Sequence, residues 1–187
     1  MKKSTFSIKN IIYLVIIVAL IVPQSRKQIQ IVLNKGKTLF GPSIMATEDT
    51  EQISSYNWDL QRLDGETFDF KTTKNKVVLV NLWATWCPPC IAEMPSIQEL
   101  HDDYRDKIDF VLVSNENKDI ISKFLNNNAF TFPVYSAISK SPETFSGRSI
   151  PRTFLIDRQG NIIIDETGAA NWNSDKVRAK IDELLVL

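Results

Sequence analysis

Histidine occurs once and cysteine twice among the 187 residues, and this scarcity removes several chemistries before any motif is read. A closed tetrahedral zinc site draws four ligands from cysteine and histidine, but Cys87, Cys90 and His101 supply only three. A disulfide-stapled scaffold is excluded as well. A bond between these cysteines would enclose only Pro88 and Pro89, so it would remove little entropy from the unfolded chain. Net charge is also absent, at +0, although that balance hides an uneven distribution. Residues 1–37 carry seven basic side chains and no acid, which leaves 15 basic against 22 acidic groups in the remainder. An acidic folded part speaks against nucleic-acid binding. The chain has no internal repeat and no low-complexity tract. Its apolar N-terminal run is not followed by a small-x-small cleavage site, because Val22 leads into Pro23, Gln24, Ser25 and Arg26. No cysteine lies near that run to carry a lipid.

What is present begins with that run. Ile11 to Val22 is uninterruptedly apolar and stands behind Lys2, Lys3 and Lys9, the grammar of a targeting segment. Twelve residues give about 18 Å of helix against a hydrocarbon core of about 30 Å. The reading is an uncleaved signal anchor over residues 1–25, with Phe6 and Ile8 extending the span and Lys9 snorkelling to the interface. Arg26, Lys27, Lys35 and Lys37 follow it, so charge counting alone leaves the orientation open. A weaker apolar patch, Ile29, Ile31, Val32 and Leu33, is suited to rest on a membrane surface. Residues 26–55 read as a linker, and residues 56–187 as the folded domain.

The domain alternates strand and helix patterns. Two short strand-like pieces flank Asp64-Gly65 as an N-terminal hairpin, and Lys76 to Ala84 is the near-continuous apolar run of a strand buried on both faces. Residues 88–106 read as a helix with Pro88 and Pro89 in its first turn, where a missing N–H costs nothing. Strand Ile108 to Ser114, helix Lys118 to Asn127 and a strand over Phe130 to Tyr135 follow. Arg152 to Asp157 and Asn161 to Glu166 then flank a turn, and a helix runs from a Ser174 cap to about Leu185. The β-α-β-α succession implies parallel pairing and an α/β fold.

The chemistry gathers at Trp86-Cys87-Pro88-Pro89-Cys90, where a buried strand ends and a helix begins. Orphan amides and the positive end of the helix dipole lower the pKa of a cysteine placed there, and the thiolate is the reactive species. Cys87 is expected to be the exposed attacking sulfur, and Cys90, one turn further, the shielded resolving one. Neither proline offers an N–H to the Cys87 thiolate, which favours the disulfide and makes the reduced pair a better electron donor. Glu93 follows Cys90 by three positions and shares its side of the helix. There it can complement the dipole, or raise the thiol pKa values and relay a proton. Trp86 is equally suited to packing and to contacting substrate, whereas Trp83 reads as core.

The segment LVNLWATWCPPCIAEMP, followed 60 residues later by SIPRTFLIDRQGNI, resembles the TlpA/ResA family of membrane-anchored thioredoxin-fold thiol:disulfide oxidoreductases over roughly residues 52–187. The resemblance implies a central mixed sheet flanked by helices, no cofactor and no metal. It also implies an outward-facing, extracytoplasmic domain that reduces disulfides of envelope proteins, apocytochromes c included, and is recharged by a membrane thiol donor. It implies that Pro151 is cis and lies against the cysteine pair, that the Ile150 backbone pairs with an extended substrate segment, that Pro95 bends the helix, and that Glu93 is functional. Asn81 departs from thioredoxin itself, which has a buried aspartate at the matching place. A thiol oxidase or isomerase would use the same residues in the opposite direction. A copper-binding or non-catalytic thioredoxin-like module is the rival from another class.

Overall fold

In the computed structural model, residues 8–45, 51–147 and 149–186 are described. The elements run α1 (Ile8–Ile21), α2 (Pro23–Lys37), β1 (Asp59–Arg62), β2 (Thr67–Asp69), β3 (Val78–Leu82), α3 (Pro88–Tyr104), β4 (Asp109–Val113), α4 (Lys118–Asn128), β5 (Val134–Ala137), β6 (Arg152–Ile156), β7 (Ile162–Thr167) and α5 (Asp175–Val186). Short 3-10 turns lie at Phe70–Thr73 and Glu143–Phe145. The strands form one mixed sheet in the order β2-β1-β5-β4-β3-β6-β7. β3 pairs in parallel with β4, and β4 with β5, while all other pairings are antiparallel. This is the expected thioredoxin-like α/β arrangement.

Because side chains alternate along a strand, the central apolar runs feed two cores at once. Leu79, Leu112 and Leu155 join Met94, Ile97 and Leu100 of α3, Ile121 of α4 and Ile181 of α5 on the helical face. Val78, Val80, Val111, Val113, Phe154 and Ile156 meet Trp58, Phe70 and Phe145 on the other face. The site therefore sits at the C-terminal end of a strand fixed from both sides.

The expected N-terminal hairpin extension forms as β1 and β2, and β1 joins it to the sheet by pairing with β5. Three expectations are revised. β5 starts after Pro133 and not at Phe130: Ala129 takes a left-handed conformation that ends α4, and the Phe130 amide donates to the Leu125 carbonyl. The expected linker holds most of α2 and a strap against β7, in which Ile162 N–H donates to the Glu51 carbonyl and Met45 N–H to the Ile163 carbonyl. That strap covers an edge that would otherwise present unpaired backbone groups. Ser174 precedes α5, but its hydroxyl makes no hydrogen bond.

At the N-terminus α1 is exposed, and it ends where Val22 turns extended before Pro23, as the residue preceding a proline must. No helix among the described residues is long and apolar enough to cross a membrane. Phe6 and the rest of residues 1–7 lie outside the described residues.

Candidate redox active site

β3 ends at Leu82, and the chain crosses Trp83 to Trp86 before α3 begins at Pro88. Trp83 is buried, as expected, with its ring 5.4 Å from Phe124. The crossing is held by its backbone and by one carboxylate. Trp83 N–H donates to the Val113 carbonyl, and Cys87 N–H to the Ala84 carbonyl. Glu116 accepts from the Thr85 amide at 2.6 Å and from the Thr85 hydroxyl at 2.7 Å, while Ser114 Oγ donates to the same carboxylate at 3.2 Å.

Cys87 is the N-cap of α3, with Pro88 and Pro89 in its first two positions. The prolines withhold the amides that would otherwise face the sulfur, so the first available N–H is that of Cys90, which donates to Cys87 Sγ at 3.3 Å. Cys87 and Cys90 are joined in a disulfide. Cys90 is fully buried, but Cys87 is also only 3% exposed, which corrects the expectation of an open attacking sulfur. Cys87 Sγ lies 3.7 Å from the Ile150 carbonyl oxygen, so the loop ahead of β6 covers it. The Ile150–Pro151 bond is cis, as the resemblance implied, and Pro151 is buried. Trp86, by contrast, is 64% exposed. Trp86 and Ile150 border a groove of about 680 Å³, along with Trp83, Glu116, Ser139 and Lys140. Cys87, Cys90, Trp86, Ile150 and Pro151 thus converge.

Glu93 lies beneath them, fully buried one turn beyond Cys90. Asn81 Nδ2 donates to its Oε1 at 2.9 Å and to Thr153 Oγ1 at 2.6 Å. Trp172 Nε1 donates to its Oε2 at 3.1 Å, with the Ala170 amide at 3.4 Å. Burial pushes the Glu93 carboxyl up from its ordinary 4.5 to about 8, while hydrogen bonds from Trp172, Asn81, Ala170 and Thr153 pull the other way. The simple dipole-complementing role fails here, because Glu93 is the sixth residue of α3, beyond the first turn in which that effect acts, and its carboxyl is drawn toward the neutral form. Pro95 lies within α3 on its exposed side.

Three participants escaped sequence reasoning. Trp172 and Thr153 are 79 and 60 positions from Glu93, and only the fold brings them to it. Glu116 sits just past β4 with no motif around it. His101 is buried against Phe110, about two turns further along α3 from Glu93, and its Nδ1 makes no hydrogen bond, with Asp102 Oδ1 3.8 Å away. No group of three or more histidine, cysteine or acidic side chains suited to a metal occurs among the described residues.

A cysteine pair at a helix start, backed by a cis-proline loop on a thioredoxin-like sheet, defines the class of thioredoxin-fold dithiol-disulfide exchange proteins. Residues 43–185 match the Redoxin family model, and the chain belongs to that family, in its ResA-like branch. Thiol-disulfide oxidoreductase ResA of Bacillus thuringiensis (strain Al Hakam) is 33% identical over 135 residues, covering 68% of this chain and 76% of that protein. Thioredoxin-like protein YneN of Bacillus subtilis (strain 168) is 28% identical, with coverages of 67% and 75%. A solved thioredoxin family thiol:disulfide interchange protein from Chlorobium tepidum TLS superposes with a TM-score of 0.57 at 23% identity, covering 73% of this chain and 99% of that one. The chain is accordingly a thiol:disulfide oxidoreductase, and Cys87 and Cys90 are the pair available for it.

Proposed function

We propose that this protein is a reductase of disulfides in extracytoplasmic proteins, with Cys87 attacking and Cys90 resolving. The observation that carries the direction is the first turn of α3, where Pro88 and Pro89 leave the Cys90 amide as the nearest donor to Cys87 Sγ. A thiolate with fewer donors is less stabilised, so the reduced pair gives up its electrons more readily.

In the forward cycle the Cys87 thiolate attacks one sulfur of the substrate disulfide. The other substrate sulfur leaves as a thiolate and takes a proton from solvent. Cys90 then loses its proton and attacks Cys87 Sγ, which releases the second substrate thiolate and forms the Cys87–Cys90 disulfide. Substrate gains two electrons and two protons. Glu93, with its carboxyl raised to about 8, is matched to a thiol; in its ionised form it takes the Cys90 proton and passes it to the departing second substrate thiolate. Trp86 and the Ile150 backbone hold the substrate segment along the groove. Apocytochromes c awaiting haem are among the substrates of this reading, and a membrane thiol donor restores the dithiol.

The N-terminal segment is the membrane anchor. α1 spans about 21 Å as a 14-residue helix, and its exposed side chains are almost all apolar. In this reading the N-terminus faces the cytoplasm and the domain lies outside.

Cells expressing Cys90→Ala test the assignment, since the attacking sulfur can no longer be released. Mixed disulfides through Cys87 with extracytoplasmic proteins are expected, and adducts formed only by Cys90 in Cys87→Ala cells would reverse it. Net oxidation of a reduced substrate by the purified disulfide form, with no reduction in the other direction, would favour the oxidase reading.

A further inference from the structure

Helix α2 is amphipathic in the inverse sense. At 100° per residue, Lys27, Gln30, Ile31 and Asn34 share the half-buried face that packs on α3. Lys27 Nζ donates to the Thr85 carbonyl at 3.2 Å, two residues before Cys87. The opposite face carries Ile29, Val32, Leu33 and Gly36, with Val32 66% and Leu33 70% exposed. Arg26 and Lys37 flank this apolar strip on one side and Lys35 on the other, and α2 contains no acid. The chain leaves the helix through Leu39 and Phe40, which are 76% and 74% exposed. A protein-facing polar side and an outward apolar side bordered by cations are inverted for water and correct for an anionic lipid interface.

We infer that α2 lies in the plane of the bilayer surface and seats the catalytic domain on it, with Ile29, Val32, Leu33, Leu39 and Phe40 in the acyl boundary and Arg26, Lys35 and Lys37 among anionic headgroups. The inference rests on the proposed anchoring by α1, because continuity with that apolar helix is what makes lipid the occupant. It goes further in fixing an orientation. α1 joins α2 at the same end where Lys27 holds the loop leading into Cys87, so the redox pair is carried close to the membrane and not at the far pole of the domain. A thiol donor embedded in the bilayer would then reach Cys87 without a long tether. Expectation and structure differ on one residue: Ile31 belongs to the protein-facing side, leaving Ile29, Val32 and Leu33 for lipid.

The test uses the full chain in nanodiscs of phosphatidylcholine and phosphatidylglycerol with brominated acyl chains. A tryptophan added as Leu33→Trp is expected about 5–10 Å below the headgroups, with its added emission quenched by about half or more. Thr72→Trp, on the opposite face of the sheet, should be unquenched. In Phe40→Trp, quenching should fall when Ile29, Val32 and Leu33 are all changed to glutamate. Unquenched Leu33→Trp in a chain that stays with the disc overturns the seating and leaves the anchor intact, and it would fit a protein partner on this face. A chain that does not co-elute with the disc overturns both.

Discussion

The two faces of the sheet use similar strands for opposite ends. On the second face the core is largely apolar and rich in rings: Phe145 lies 5.3 Å from Trp58, 5.6 Å from Phe70 and 5.1 Å from Phe154. On the helical face the same alternation buries Asn81 and Thr153 beside Glu93, under the disulfide. One face supplies rigidity through packing. The other gives up apolar burial to place a titratable group one helical turn from Cys90. Removing polar groups from water costs free energy unless they are paired, and Glu93 is paired on both oxygens yet still drawn toward its neutral form. The reaction thus depends on the helical face and merely rests on the other.

Breaking the apolar face should have the largest effect on stability and little on chemistry. Phe70→Ala is expected to cost about 3–5 kcal/mol in denaturant unfolding. The reduction potential of the surviving folded protein should be unchanged, and a large shift in it would mean that the faces are coupled.

Glu93→Gln sharpens the other side. The carboxyl is raised in the fold, so its favourable burial is fully present below about pH 4.5 and is lost as pH rises toward about 8. The stability of the variant relative to the parent should therefore be flat below pH 4.5, move in favour of glutamine by a few kcal/mol between 4.5 and 8, and be flat above. Unfolding curves across pH measure it. A difference that does not vary with pH would place an ionised carboxylate in the core. The pH profile of exchange should lose the limb near pH 8 in the same variant.

The smallest effect is expected at the loop. Glu116→Ala leaves the Thr85 amide without its acceptor and should cost about 1–3 kcal/mol. Glu116→Gln, which can still accept from that amide, should recover most of the exchange rate. Failure of glutamine to rescue it would give Glu116 a role in charge and not in positioning.

Local patterns carried much of this. Val78 to Leu82 reads as a buried strand because both faces are covered, and Pro88-Pro89 marks a helix start because only there are missing amides harmless. The cis bond at Pro151 was legible only through the family resemblance, since composition assigns an X-Pro bond no isomer. What stayed hidden depends on long-range contacts. The partners of Glu93 come from β3, β6 and the segment before α5, and nothing near residue 93 announces Trp172. The burial of Cys87 depends on Ile150, 63 positions away. The strap on β7 was missed because its pairing, at Met45, Glu51 and Ile53, runs through backbone groups that composition does not reveal.

The energy balance between the bonded and free forms of Cys87 and Cys90 sets the direction of exchange, and equilibration of the purified protein with glutathione buffers reads it directly. Two-electron behaviour with a potential below about −230 mV, toward the thioredoxin value of about −270 mV, is the predicted result. A value near −120 mV, the strongly oxidising end of that scale, would contradict it.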